Sequence, residues 1–294
     1  MEKILFDTDI GSDIDDALAL AYLLKEPRCD LLGITTVTAF PELRASMVSA
    51  VCRNAGRDDI PIHAGCGKSL LIEAPQQTAA QAEAIGDWSH EKFSTENTAV
   101  DFLYQTIIAN PGEITLLGVG PMTNIGLLFA MYPDIASKLK SLVLMCGHFA
   151  ADADSEWNAR NDPHAAAIVY GNGFQSKPPL HYSCGLDVTT KCRLNRDEGR
   201  EKFKNYSVLA PVRDFAEVWF KASPVVTFHD PLAAVCIFEP DVCTWKDTYV
   251  EVPTFSEDAG KTIVTDNSEL KCHKIAEEVD SKRFFQIYFD TISD

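Results

Sequence analysis

Along most of the chain, apolar residues come in short continuous runs rather than in strict alternation with polar ones. Lys3–Phe6, Leu31–Thr38, Ile60–Ala64, Glu113–Val119, Ser141–Met145 and Leu180–Leu186 read as strands. Between them, Asp15–Lys25, Pro41–Asn54, Thr98–Ala109, Thr123–Met131 and Pro163–Tyr170 carry helical spacing. The first of these, DDALALAYLLK, is apolar on nearly every side, which predicts a buried helix. Continuously apolar strands are buried on both faces, and β-then-α alternation sets them parallel. The predicted fold class is therefore α/β, an open, mostly parallel sheet with helices on both faces, spanning residues 1–294 as one domain. The last third is more helical, with a hairpin across Tyr249–Val264 and a closing helix over Lys282–Ile292. Sheets of this kind bind ligands beyond the carboxyl ends of their strands. The segments after KILF, ITTVT, ITLLGV, LVLM and HYSCGLD are thus where chemistry is expected.

Charge narrows the range of partners. Asp and Glu number 43 against 26 Lys and Arg, a net charge of −17. Such a surface repels phosphate backbones, which argues against a nucleic-acid polymer or an anionic membrane as partner. No stretch approaches the roughly 18–20 apolar residues of a membrane span. Acidic residues by position 7 leave no signal-peptide core. A cytoplasmic location is expected. The nine cysteines form no CxxC pair and no zinc spacing, so they read as buried free thiols in a reducing compartment.

The first of those loops changes the picture. From Asp7 to Asp16 the chain reads DTDIGSDIDD, five carboxylates in ten residues. A solvated acidic turn whose last Asp caps the next helix is the bland reading. At the end of a buried strand, however, mutual repulsion makes the cluster costly unless a cation or several donors compensate it. Carboxylate oxygens without His or Cys suit Ca²⁺ or Mg²⁺. The spacing is not that of an EF-hand: Gly11 falls at the fifth position, and no Glu closes the loop at the twelfth. A strand ending in DxD also resembles the haloacid-dehalogenase phosphatases, but Ile10 stands where they carry Thr or Val. Their downstream Lys and acidic pair have no clear equivalent.

The fuller string DTDIGSDIDDALAL resembles the DxDxGxDDAxA motif of the inosine–uridine-preferring nucleoside hydrolases, with two extra residues before Asp15-Asp16-Ala17. The resemblance continues in order. Val119-Gly120-Pro121-Met122-Thr123-Asn124-Ile125 is similar to GPLTNI, and Glu156-Trp157-Asn158 with Asp162-Pro163 to EFN…DP. Gly185-Leu186-Asp187-Val188-Thr189 is similar to GLDVT, His229-Asp230-Pro231-Leu232-Ala233 to HDPLA, and Val279-Asp280…Phe284-Phe285 to the closing helix.

The resemblance implies hydrolysis of the N-glycosidic bond of a ribonucleoside or modified nucleoside to free base and ribose, with Ca²⁺ as cofactor, in purine or pyrimidine salvage. It implies Asp9 as a calcium ligand and general base on the attacking water. Asp16, the Val119 carbonyl and Asp230 would complete the metal ligands. Asp15, Glu156 and Asn158 would hold the ribose, and His229 would lie beside the leaving base and help protonate it. A homodimer or homotetramer is expected on the same ground. These roles agree with the chemistry. Carboxylates stabilise an oxocarbenium-like state, a cation acidifies water, and a histidine titrating near pH 6–7 suits proton delivery.

Each residue also has a bland reading. Asp230 and Asp162 stand beside prolines as helix caps do, His229 alone reads as structural, and Glu156 and Asn158 as loop surface. Their joint order with the Asp cluster reverses this. The departures from the motif also matter. The enlarged loop leaves the roles of Asp13 and Asp15 open, with both assigned to substrate. Phe40 stands where the family carries a ribose-binding Asn after the second strand, and Ala150 replaces another. The family's HGxxGL segment is missing, with Ile85–His90 as its candidate replacement. Loss of two polar sugar contacts predicts altered substrate preference. A non-catalytic, calcium-dependent nucleoside- or sugar-binding protein is the alternative. Trp157, Trp88, Phe149 and Phe228 are candidates to stack on the base, with His148 and His90 as weaker pocket candidates.

Overall fold

The computed structural model describes residues 1–171, 179–265 and 271–293. The first half alternates strand and helix: β1 (Glu2–Thr8), α1 (Asp15–Lys25), β2 (Cys29–Thr36), α2 (Pro41–Asn54), β3 (Ile62–Ala64), α3 (Ala99–Ala109), β4 (Ile114–Gly118), α4 (Thr123–Met131) and β5 (Ser141–Met145). Then follow α5 (Trp157–Asn161), α6 (Pro163–Val169), β6 (Leu180–Cys184), α7 (Leu186–Thr189), β7 (Arg193–Asn195), α8 (Arg196–Phe203), α9 (Ala210–Trp219), β8 (Val225–Thr227) and α10 (His229–Phe238). The chain closes with β9 (Cys243–Glu251), β10 (Ile263–Thr265), β11 (His273–Val279) and α11 (Ser281–Thr291).

Among the described residues, nine strands form one sheet in the order β10-β9-β11-β6-β5-β4-β1-β2-β3. Every pair from β3 across to β11 is parallel, and β9 and β10 add an antiparallel edge. The α/β expectation thus holds. The Tyr249–Val264 hairpin is present as β9 and β10, with Ile263 opposite Glu251. The strand expected over Leu180–Leu186 stops at Cys184, because Leu186 already opens a helical turn. The β7–β8 ribbon lies outside the parallel alternation, as an antiparallel pair in a sheet of its own.

Two cores cover the sheet. Ile4 and Phe6 of β1 pack with α1, α10 and α11 on one face. Leu5, between them, packs with α3, α4 and α6 on the other. The chain leaves β1 toward β2 on one side and reaches β4 on the other, so a crevice opens at the carboxyl ends of β1 and β4. All nine cysteines are free thiols. No helix among the described residues is long and apolar enough to cross a membrane.

Candidate active site

Side-chain alternation separates the first two aspartates of the cluster. Asp7 falls on the α4 face of β1. There its Oδ1 accepts from the Thr35 hydroxyl and from Asn124 Nδ2 at 2.7 Å, while Oδ2 is buried without a partner. Burial pushes its carboxyl up to about 7, despite the Asn124 and Thr35 donors. Asn124 also donates to the Thr36 carbonyl and accepts from the Cys66 amide. Its segment, Val119–Ile125, is therefore structural at that position.

Asp9 lies past the strand end, in a loop that turns through Gly11 at φ +113°. Glycine makes that turn without the clash an L side chain would meet. The loop ends in the first turn of α1, where the dipole favours Asp15 and Asp16. Thr8 Oγ1 at 2.5 Å and the Asp9 amide at 3.1 Å both donate to Asp16 Oδ1. Asp230 opens α10, and its amide donates to Asp15 Oδ2 at 3.2 Å. One carboxylate oxygen from each of Asp15, Asp16 and Asp230 lies within 4.8 Å of the others, all three residues being buried. Burial, then the charges of their neighbours, pushes all three carboxyls well above the usual range. Asp13, half-buried at the mouth, is pushed to about 7 mainly by burial. Such a set is stable as anions only with positive charge among them, and hard oxygen donors fit a divalent cation of the Ca²⁺ or Mg²⁺ type.

One positive charge is already present. Arg44 of α2 is fully buried. Its guanidinium donates to the carbonyls of Asp9, of Ile10 (3.0 Å), of Ala39 (2.9 Å) and of Thr78 (2.9 Å), and to Ser12 Oγ (3.1 Å). The loop between β1 and α1 is thus held by Arg44 together with Gln81, whose backbone amide and Nε2 donate to the Gly11 and Ser12 carbonyls at 3.0 Å. No signal in the sequence marks Arg44 beyond a charge on an otherwise apolar helix face.

A cavity of about 510 Å³ collects Asp9, Asp13, Asp15, Asp16, Val119, Glu156, Trp157, Asn158, His229 and Asp230. Phe40 is the exception among the expected residues. It is half exposed, in a left-handed conformation before α2, and lines a neighbouring groove. Ala150 is exposed and also outside the cavity. Phe228 is wholly in the core, Trp88 donates to Asp214, and neither Phe149, His148 nor His90 reaches the cavity. Of the aromatic candidates only Trp157 lines it, joined by Trp219, which the sequence did not single out. The cavity is roofed by residues 75–80 rather than by Ile85–His90.

Glu156 caps α5. Its carboxylate accepts from the amides of Asn158 (2.8 Å), Ala159 (3.2 Å) and Gly147 (3.3 Å), and burial raises it against those donors. The Asn158 side-chain Nδ2 donates to the Val119 carbonyl at 2.6 Å and to the Met145 carbonyl at 3.0 Å. Gly120 allows the β4 loop to pass Asp9: a Cβ there would sit 2.8 Å from Asp9 Oδ1. His229 Nδ1 pairs with Thr189 Oγ1 at 2.7 Å. Burial, and then the Arg193 charge, hold this imidazole down at about 4. The expected histidine titrating near pH 6–7 is therefore not what the fold provides; at neutral pH His229 is uncharged. Asp162 does what the bland reading foresaw, capping α6 and accepting from Thr123.

Three comparisons bear on this geometry. The family model described as inosine-uridine preferring nucleoside hydrolase matches residues 4–286. Uridine nucleosidase 1 of Arabidopsis thaliana is 29% identical over 281 residues, covering 90% of this chain and 82% of that protein. Pyrimidine-specific ribonucleoside hydrolase RihB of Escherichia coli O17:K52:H18 is 31% identical over 271 residues, covering 85% and 82%. Among solved structures, a purine-preferring ribonucleoside hydrolase from Gardnerella vaginalis superposes with a TM-score of 0.85 at 23% identity, covering 99% of this chain and 98% of that one.

Proposed function

This chain belongs to the inosine-uridine preferring nucleoside hydrolase family, whose members cleave the N-glycosidic bond of ribonucleosides, and from that premise we propose a calcium-dependent mechanism centred on Asp9. The observation that carries the proposal is the convergence of Asp15, Asp16 and Asp230 within 4.8 Å, in the cavity that also holds Asp9. Asp16, Asp230 and Asp9, with the Val119 carbonyl once Asn158 turns to the sugar, would hold the ion, and Asp15 beside them would face the ribose. A bound Ca²⁺ supplies the charge that lets these carboxylates coexist and acidifies a water.

Asp9 takes a proton from the water that attacks C1′. Asp15, Glu156 and Asn158 hold ribose hydroxyls, and the Asp15 and Glu156 carboxylates stabilise the positive charge that grows on the ring. The N-glycosidic bond breaks with its electron pair going to the base, which must gain a proton. His229 would face the base as a neutral imidazole that donates a hydrogen bond from Nε2 to the departing base, which takes its proton from solvent water while Asp9 returns its own to solvent. Trp157 and Trp219 offer faces for the base. Since Phe40 and Ala150 supply no sugar contact, discrimination at the sugar rests on fewer polar groups, and an altered glycone preference follows. A homodimer or homotetramer in the cytoplasm completes the reading.

The test is turnover of uridine, cytidine, inosine and a p-nitrophenyl riboside, with and without EDTA. We expect release of base or phenol that EDTA abolishes and added Ca²⁺ restores. Asp9→Ala should lower kcat about a thousandfold or more, on the scale of losing a base that also orients water. Wild-type turnover unaffected by exhaustive chelation would sink the calcium assignment. Asp9→Ala at wild-type rate would sink the base assignment.

A further inference from the structure

The cavity contains a polar residue that none of the motifs assigns. Gln76 sits in the segment between β3 and the short helical turn at Ala80–Ala84, and only 6% of it is exposed. Its Nε2 donates to Asp9 Oδ2 at 2.6 Å, and its Oε1 accepts from the Trp157 indole at 2.6 Å. Its backbone amide donates to Asn161 Oδ1 at 2.9 Å. Helix α5 therefore grips Gln76 twice, through Trp157 and Asn161, and Gln76 passes that grip to Asp9.

We infer that Gln76 is a positioning residue for Asp9, oriented in turn by Trp157; this rests on the hydrolase mechanism proposed above. The chemistry of the three groups permits one arrangement. An indole N–H only donates, and an ionised carboxylate only accepts. Trp157 thus takes the carboxamide oxygen and forces the NH₂ toward Asp9. A flipped amide would set two acceptors against each other at one end and two donors at the other. On its other oxygen Asp9 is bounded by the Gly120 backbone, with no room for a Cβ. The carboxylate is therefore held from two sides in one rotamer. This arrangement also gives Trp157 a role apart from stacking: the identity of its ring nitrogen, and not only its face, reaches the base.

The experiment is a double-mutant cycle read in kcat and KM with uridine and inosine. Gln76→Met keeps the length and removes both hydrogen bonds, and Trp157→Phe keeps a ring and removes the orienting donor. Gln76→Met should lower kcat roughly 10- to 100-fold with KM within about threefold, the pattern of a misplaced catalytic group. Trp157→Phe should lower kcat less, about three- to tenfold, and the double variant should be no slower than Gln76→Met, because both changes break one chain. A second readout needs no turnover. The emission of Trp157, taken as the difference between wild type and Trp157→Phe, should shift in Gln76→Met when the indole loses its partner. Wild-type kcat in Gln76→Met, a double variant equal to the product of the singles, or an unshifted emission would each overturn the inference while the hydrolase reading stands. A wild type that turns over no nucleoside defeats both.

Discussion

The floor of the cavity is made from the ends of regular elements, and its roof from a loop. Asp9 follows β1, Val119 follows β4, Asp15 and Asp16 open α1, and Asp230 opens α10. Backbone geometry aims each of these groups, so a chain that folds this way places them almost automatically. Residues 75–80 have no such support. They are held by single side chains reaching across the cavity: Arg44 to Thr78, Ser12 to Thr78, and Gln76 to Asp9. The contrast teaches which groups of the site the fold aims by itself and which depend on single contacts. The acidic cluster that suits a cation lies in the floor, and the roof reaches it through the single contact of Gln76 to Asp9.

The largest effect expected from that division is at Asp230. Asp230→Ala removes one of three converging carboxylates at the start of α10. It should lower kcat/KM by about a thousandfold or more and abolish saturable Ca²⁺ binding by calorimetry, since the ion loses the α10 carboxylate that closes its oxygen shell. A loss under tenfold with intact calcium binding would place the ion elsewhere and erase the distinction between floor and roof.

Removing the ion probes the floor as a whole. In the metal-free chain Asp7 and Asp13 sit at about 7, and Asp15, Asp16 and Asp230 are raised as well. Folded-state values above the unfolded one mean that the folded chain holds more protons than the unfolded chain. Stability from these groups is then fully present below the unfolded value near 4 and is lost as pH rises toward 7 and beyond. Calcium offsets that loss by replacing protons. Saturating ligand at about 1,000 times its Kd is worth roughly 4 kcal/mol, so EDTA should lower Tm by about 10 °C at pH 7.5. At pH 5.5, where protons do part of the cation's work, the drop should be less than half as large. Equal drops at both pH values would mean that the acidic floor is not what the ion relieves.

Arg44 joins the two regions, so its loss should harm both. Arg44→Met leaves the Asp9, Ile10 and Ala39 carbonyls without this donor, Thr78 keeping that of Ser12, and removes a buried cation beside the floor. We expect about 3 kcal/mol of destabilisation, as when one partner of a buried ionic network is deleted, read by urea unfolding in metal-free buffer. An effect below about 0.5 kcal/mol would show that the loop carries its own shape.

This comparison also explains what could be read from the chain before folding. Strand ends and helix starts are visible as periods and caps. Asp15–Lys25, Pro41–Asn54, Thr123–Met131 and Ser141–Met145 accordingly appear with their expected bounds. The floor aspartates were legible for the same reason. The roof was not. Pro75-Gln76-Gln77 has no period, and Gln76 becomes meaningful only because the loop after β1 and helix α5 converge on it. His229 was found by its motif, but its lowered proton affinity comes from packing and from Arg193 of a ribbon that no pattern foretold. Phe40 was placed at the sugar by alignment with a motif, and the turn after β2 sends it outward instead.

That turn offers the smallest and sharpest test. Thr38 and Phe40 both adopt left-handed backbone angles, with φ of 65° and 61°. Bulky residues carry strain there that Asn does not, since a short polar side chain bonds locally to the backbone. Phe40→Asn restores the residue type that the family motif carries, yet in this fold position 40 faces the neighbouring groove. The substitution should raise Tm by about 2 °C, corresponding to roughly 0.5–1 kcal/mol of relieved strain. It should leave kcat/KM for uridine and inosine within about twofold. A gain of tenfold or more would mean that position 40 reaches the sugar after all, and the altered glycone preference would then belong to the floor rather than the roof.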